Sequence, residues 1–273
     1  MLDKKKDKTP KLVVWPQRIL YTGHYHGEIT FNHIKDTLIV SLDHPMRVFD
    51  STGDEVLSTS SLLVPKLFKG HLLLQYSHVI ILSLDIMGYT RDLLLRNYTY
   101  FTYETYNPHS FSLCANFEPR ETFLNGFNEL SEMSSEPKLL NTHINSLVNP
   151  SSFLPKRREL DVRVLQTLKL ARDCRKEKLL ITDLASSLDL SESRLRHIFK
   201  KEMGYSLGLM LNSLRLLTFL EHFCHYGNMT YAAADAGFSD LSHLNKTMHK
   251  TIGLSFSKIM RHNETVLTAF CSH

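Results

Sequence analysis

Two stretches of the chain carry one pattern 49 positions apart: "LRHIFKKEMG" from Leu195 and "LNKTMHKTIG" from Leu244. Each follows a short alanine-bearing segment, carries basic residues and stops at a glycine. Ala185 and Ala233 hold matching places in the preceding segments, and Asp189 and Gly237 match as the tight connection. That connection is offset by 48, so the second copy has one extra residue before its second helix. The repeat predicts two small helix–turn–helix devices, and with them an all-α arrangement for the C-terminal part.

The second helix of such a device must bury one stripe and leave the other open. In the first copy, Leu195, Ile198 and Phe199 form the buried stripe. Glu192, Ser193, Arg196, His197 and Lys200 face outward, with Arg194 at the edge and Lys201 following. In the second, Leu244 and Met248 are buried, while Leu241, Ser242, Asn245, Lys246, His249 and Lys250 face out. Ser191 reads as an N-cap and Gly204 as a helix stop. A long apolar helix, about Leu207 to His225, separates the copies. Upstream, "ELDVRVLQTLKLARDCR" places Leu160, Val164, Leu165, Leu168 and Ala171 on one face. An exposed helix held out in this way fits a DNA major groove roughly 12 Å wide.

Charge supports a polyanionic partner. Residues 1–155 hold 14 basic and 16 acidic side chains, a net −2, whereas residues 156–273 hold 18 and 12, a net +6. The basic excess sits with the repeat, where double-stranded DNA would bind.

Residues from about Arg163 to Arg261 resemble the DNA-binding domain of the AraC/XylS transcription regulators. The stretches that carry this are "LASSLDLSESRLRHIFKKEMGYSLGLMLNSLRL" and "AAADAGFSDLSHLNKTMHKTIGLSFSKIM". The resemblance implies one unit over residues 182–203 and another over 230–252, entering successive major grooves about 34 Å apart. It implies a cytoplasmic regulator with RNA polymerase as partner if it is an activator. The chain departs from the family at Leu244, at "MH" (Met248-His249), at Ala232-Ala233 and at Ser255. By side-chain chemistry, Arg196 suits guanine O6 and N7, and Asn245 suits adenine N6 and N7. Arg194, Lys200, Lys201 and Lys250 suit phosphates, as does the helix start at Ser191.

Residues 12–120 read as strands: apolar, β-branched and aromatic runs recur between Gly, Pro, Asp and Asn. "DHPMRVFDSTGDEVL" reads as two strands around a Thr-Gly-Asp turn. A barrel or jelly-roll follows, resembling the cupin-like sensor domains found ahead of many AraC-type domains. The whole is expected to be an α+β two-domain chain. Its parts are a sensor domain at 1–120, a helical segment at 121–150, a linker at 151–162, the DNA-binding domain at 163–261 and a tail at 262–273. The apolar stripe of "FLNGFNEL", Phe123 to Leu130, serves either to pair two protomers into a homodimer or to pack within the domain.

His24, His26 and Glu28 alternate along a strand and so share a face, which raises a metal site. The glutamate comes too early for the cupin ligand pattern, and no metal or cofactor is expected. His33 and His71 are candidate contacts to a small-molecule effector. A cupin-fold metalloenzyme with an accessory helical domain is the competing class. No serine–histidine–acid set or phosphate loop is legible, and no catalytic residue is assigned. No apolar run approaches the roughly 18 residues that a membrane span requires. Four scattered cysteines, Cys114, Cys174, Cys224 and Cys271, suit free thiols in a reducing compartment.

Overall fold

The computed structural model describes residues 10–15, 18–31, 33, 35–84, 89–104, 112–133, 136–150, 160–173, 179–252, 256 and 266–269. The chain divides into two units. Residues 1–155 and 249–273 form one, and residues 156–248 the other.

The first unit is built on β2 (Ile19–Phe31) and β7 (Gly70–Ser83), which pair antiparallel from Ile19↔Ser83 to Phe31↔Gly70 with a register shift between Tyr25 and Gly27. Along its other edge β7 meets β3 (Thr37–Ser41) through its second half and β4 (Met46–Asp50) through its first. β4 turns into β5 (Glu55–Thr59) where the sequence places the hairpin. Asp50 Oδ1 accepts from Thr52 Oγ1 and from the backbone N–H of Thr52, Gly53 and Asp54, which fixes that turn. β6 (Ser61–Val64) pairs with β3 and with β9 (Ser112–Glu118), and β8 (Thr99–Glu104) closes that end.

At the opposite end β1 (Lys11–Val14) lies antiparallel to β2. Outside it runs β10 (Val266–Ala269), parallel to β1 in the register Lys11↔Val266 to Val14↔Ala269. The C-terminal tail of the sequence reading therefore supplies a strand to the N-terminal sheet.

Cross-strand neighbours share a face, so the ladder sorts the side chains. Leu20, Leu38, Val40, Leu63, Ile80 and Leu82 point to one face and join a core with Phe117, Phe123, Phe127, Leu130, Leu140, Ile144 and Val148. These last come largely from α2 (Arg120–Glu132) and α3 (Pro137–Val148), with α1 (Tyr89–Asn97) contributing Leu94. Leu12, Ile19, Ile29, Ile39, Leu72 and Ile81 point to the other face and are also buried. The helices cover the first of these faces, and burial of the second is what a sheet rolled on itself, a barrel or jelly-roll, achieves.

Three expectations need correction here. The stretch 12–120 is not all strand, because "YTRDLLLRN" forms α1. Residues 121–150 are not a separate connecting segment. The stripe Phe123, Phe127 and Leu130 is fully buried against the sheet, and a Cβ on Gly126 would lie 2.2 Å from Leu147 of α3. Of the two roles for that stripe, packing within the domain is the one the structure displays. In α4 (Val162–Asp173), Leu165 is exposed and Thr167 takes the buried place, its hydroxyl donating to Arg163 O. Residues 151–159 of the expected linker lie outside the described residues, as do Cys174, Cys271 and Ser255.

Candidate nucleic-acid interface

The first helix–turn–helix comprises α5 (Ile181–Ser186) and α6 (Glu192–Met203). The second comprises α8 (Met229–Asp235) and α9 (Leu241–Ile252), after the 20-residue α7 (Leu207–Tyr226). At 1.5 Å per residue α7 is about 30 Å long. It begins at Ser206, whose hydroxyl accepts from Leu209 N, and stops at Gly227 in the left-handed conformation.

The two turns are made alike. Leu190 N donates to Ala185 O at 2.9 Å, and Phe238 N donates to Ala233 O at 2.9 Å. Asp189 has φ 52° and Gly237 φ 80°, so both chains reverse through a left-handed residue, the conformation glycine adopts at no steric cost. Ala185 and Ala233 are both buried, as close helix approach requires. The extra residue of the second copy is real: Leu190 alone separates Asp189 from the cap Ser191, whereas Phe238 and Ser239 separate Gly237 from Asp240. Ser191 Oγ accepts from Arg194 N, and Asp240 Oδ1 accepts from His243 N at 2.7 Å. That backbone bond, with the Ser239 hydroxyl, holds the Asp240 carboxyl below the usual carboxylate range.

α6 buries Leu195, Ile198, Phe199 and Met203. Ser193, Arg194, Arg196, His197, Lys200 and Lys201 are exposed and Glu192 is half-buried. Arg196 reaches back one turn to Glu192, Nη2 to Oε2 3.0 Å. Exposed pairs of this kind contribute under about 1 kcal/mol, so the guanidinium remains available to a stronger acceptor. α9 buries Leu244, Thr247 and Met248 and exposes Ser242, Lys246, His249 and Lys250. Leu241 and Asn245 are half-buried, and Asn245 Oδ1 is enclosed with no hydrogen-bond partner among the described residues. Its amide must swing outward before both its groups can meet an adenine edge.

Two features escaped the sequence reading. The Arg196–Glu192 pair is legible as an i, i+4 spacing that lies outside the repeated pattern. Arg215, the one arginine of α7, brings its Nε to 3.9 Å from where a Cβ on Gly237 would lie. Its only signal was a lone arginine in an apolar helix.

Residues 184–262 match the family described as "Helix-turn-helix domain". The C-terminal part is an AraC-type helix-turn-helix domain. No curated protein matches the chain. Among solved structures, a singly substituted ToxT from Vibrio cholerae strain SCE256, in its apo form, superposes with a TM-score of 0.53 at 12% identity, over 89% of this chain and 96% of that one. ToxT from Vibrio cholerae O395 gives 0.52 at 12% identity over 90% and 96%. Wild-type ToxT of strain SCE256 with an unsaturated fatty acid bound gives 0.50 at 15% over 89% and 94%. At these identities the likeness is one of fold. The sheet unit and the AraC-type domain together share the ToxT fold.

The histidines of the sheet unit are dispersed. His33 is buried, with Nδ1 3.3 Å from Thr37 Oγ1 and Nε2 3.1 Å from Thr30 O, and burial lowers its pKa to about 4. His71 faces Thr30 across the ladder and stacks on Phe49, ring centroids 4.8 Å apart. Thr30 thus borders both, but no described contact joins them. His24 lies beside Tyr76, His78 and Asp43, whereas His26 and Glu28 are exposed. Among the described residues no group of three His, Cys, Asp or Glu side chains is placed to hold a metal ion. No described helix is long and apolar enough to cross a membrane.

Proposed function

We propose that the protein is a sequence-specific, DNA-binding transcription regulator whose two recognition helices, α6 and α9, enter successive major grooves. The observation that carries this is the pair of turns made by the same backbone bond, each presenting a capped helix with one buried stripe and one open polar stripe. Arg196 reads a guanine, and Arg194, Lys200, Lys201 and Lys250 neutralise phosphates. Asn245 reads an adenine after its amide turns outward. The two helices are joined by a rod about 30 Å long, close to the 34 Å turn of B-DNA.

The sheet unit serves as the effector domain. The same fold in ToxT was solved with an unsaturated fatty acid bound. Here the sheet face away from the helices is apolar. Dimer formation and an RNA polymerase contact belong to the same reading if the regulator activates.

Arg196→Ala tests the assignment. Selection of bound duplexes from a random pool identifies the preferred site, and titration then compares that site with random DNA. The variant should lose about 1–3 kcal/mol on the preferred site and much less on random duplex. Equal losses on both would make Arg196 a phosphate contact, and no enrichment of any duplex would refute sequence-specific binding.

A further inference from the structure

Between Glu192 and Lys201, α6 carries two arginines and two lysines but a single carboxylate, that of Glu192. A carboxylate on a face turned towards phosphates weakens binding to every duplex alike unless it meets a donor there. Glu192 already has one. Its Oε2 accepts from Arg196 Nη2 at 3.0 Å, one helical turn on, and the Glu192 and Arg196 side chains are 39% and 52% exposed. The bond uses one N–H of a guanidinium that carries several, so the rest stay free for a further acceptor.

Four residues advance a helix by about 6 Å, and stacked bases lie about 3.4 Å apart. Side chains on successive turns therefore reach nearby base pairs while their charged ends stay bonded to each other. The two ends suit different edges. In the major groove guanine offers two acceptors, N7 and O6, which match the guanidinium. An ionised carboxylate only accepts, and cytosine is the base whose edge is a donor alone, its N4 amino group. Guanine and thymine turn acceptors towards a carboxylate, and adenine sets N7 beside its amino group. The second copy lacks this pair: 49 positions on, Leu241 stands for Glu192 and Asn245 for Arg196.

We infer that Glu192 is a specificity-determining residue: bonded to Arg196, it accepts from the N4 amino group of a cytosine close to the guanine that Arg196 reads. The inference rests on the DNA-binding reading. Pairing with Arg196 offsets the charge of the carboxylate against the phosphates, and the same bond holds both groups over the base edges. The position of Glu192 in the first turn also suits the helix dipole, but that role discriminates no base.

Duplex selection from a random pool, followed by titration against single-base changes, tests this on the full chain, Glu192→Gln, Glu192→Ala and Arg196→Ala. Far-ultraviolet circular dichroism checks that each variant is folded. Arg196→Ala should flatten a guanine position, and Glu192→Ala a cytosine position close to it. Glu192→Gln should move the latter preference to adenine, whose N6 and N7 suit a carboxamide. Changing that cytosine should cost the parent about fivefold or more in affinity, and Glu192→Ala about twofold or less. Tighter binding by both Glu192 variants with the parent's preference kept at every position would overturn the inference, leaving a general charge at the helix end. So would a flattened position at which the parent selects any base but cytosine. Both outcomes leave sequence-specific binding standing, whereas a parent chain that enriches no duplex would refute that reading itself.

Discussion

His33 makes the stability of the sheet unit depend on pH in a way that can be worked out from its surroundings. The side chain is 2% exposed, and both ring nitrogens lie against Thr37 and Thr30. Charging the ring there would remove it from water with no carboxylate bonded to it among the described residues, and burial accordingly lowers its pKa from 6.5 to about 4. The unfolded chain takes up the proton near pH 6.5 and the folded chain does not, so the unfolded state binds more protons over that interval. Stability is therefore full above pH 6.5 and is lost as pH falls towards 4. A shift of this size corresponds to about 3 kcal/mol in all, of which about 2.5 kcal/mol is lost between pH 7.5 and 4.5. Trp15, the single tryptophan, is buried in the same sheet and reports its unfolding by fluorescence. His33→Gln keeps a donor but cannot titrate. In urea titrations the variant should be less stable than the parent at pH 7.5, by about 1–2 kcal/mol for an imperfectly replaced buried hydrogen bond. The gap should close, and reverse, as pH falls to 4.5. A difference between the two proteins that stays constant from pH 7.5 to 4.5 would refute the reasoning, because every other titrating group is common to both.

Two further substitutions probe the frame on either side. Phe127→Ala empties a fully buried site between α2 and the sheet and should cost about 3–5 kcal/mol in the same Trp15-monitored unfolding. Gly237→Ala places a Cβ at φ 80° in the second turn. It should cost about 1–2 kcal/mol in unfolding of the helical unit followed by far-ultraviolet circular dichroism, whereas Gly237→Asn, which tolerates that conformation, should cost less.

The helical half was legible because its information is local. The Ala185 and Ala233 positions, the reversals at Asp189 and Gly237 and the apolar spacing of α6 each lie within twenty residues of the partners they need, and the structure realises them with short-range backbone bonds. The sheet half was legible only as a class. "YTRDLLLRN" has an apolar run short enough for a strand, and becomes α1 because Leu94 has a place in the core beside α3. Nothing in "FLNGFNEL" says whether its stripe meets a second protomer or its own sheet; that is decided by β2 and β7, some fifty to a hundred residues away. β10 was hidden for the same reason. "VLTA" is one β-branched run among many, and its partner, "KLVV", lies at the other end of the chain.

The two recognition helices are alike in skeleton and unlike in what they offer a phosphate. α6 carries Arg194, Arg196, Lys200 and Lys201; its cap is a neutral hydroxyl, and the carboxylate of its first turn, Glu192, is paired with Arg196. α9 carries Lys246 and Lys250, and the carboxylate of Asp240 already occupies its first turn. Because Asp240 is held ionised by the bonds that cap the helix, it repels a phosphate where Ser191 would admit one. Ser239 and Asp240 both reach His243. On the reading proposed above, affinity in such a pair is concentrated in the first unit. On the same reading the second contributes through groups that could tell bases apart, Asn245 foremost, and through the spacing that α7 imposes. A duplex that satisfies α6 alone would then be held by charge and released by salt, whereas one that also satisfies α9 would be held in register.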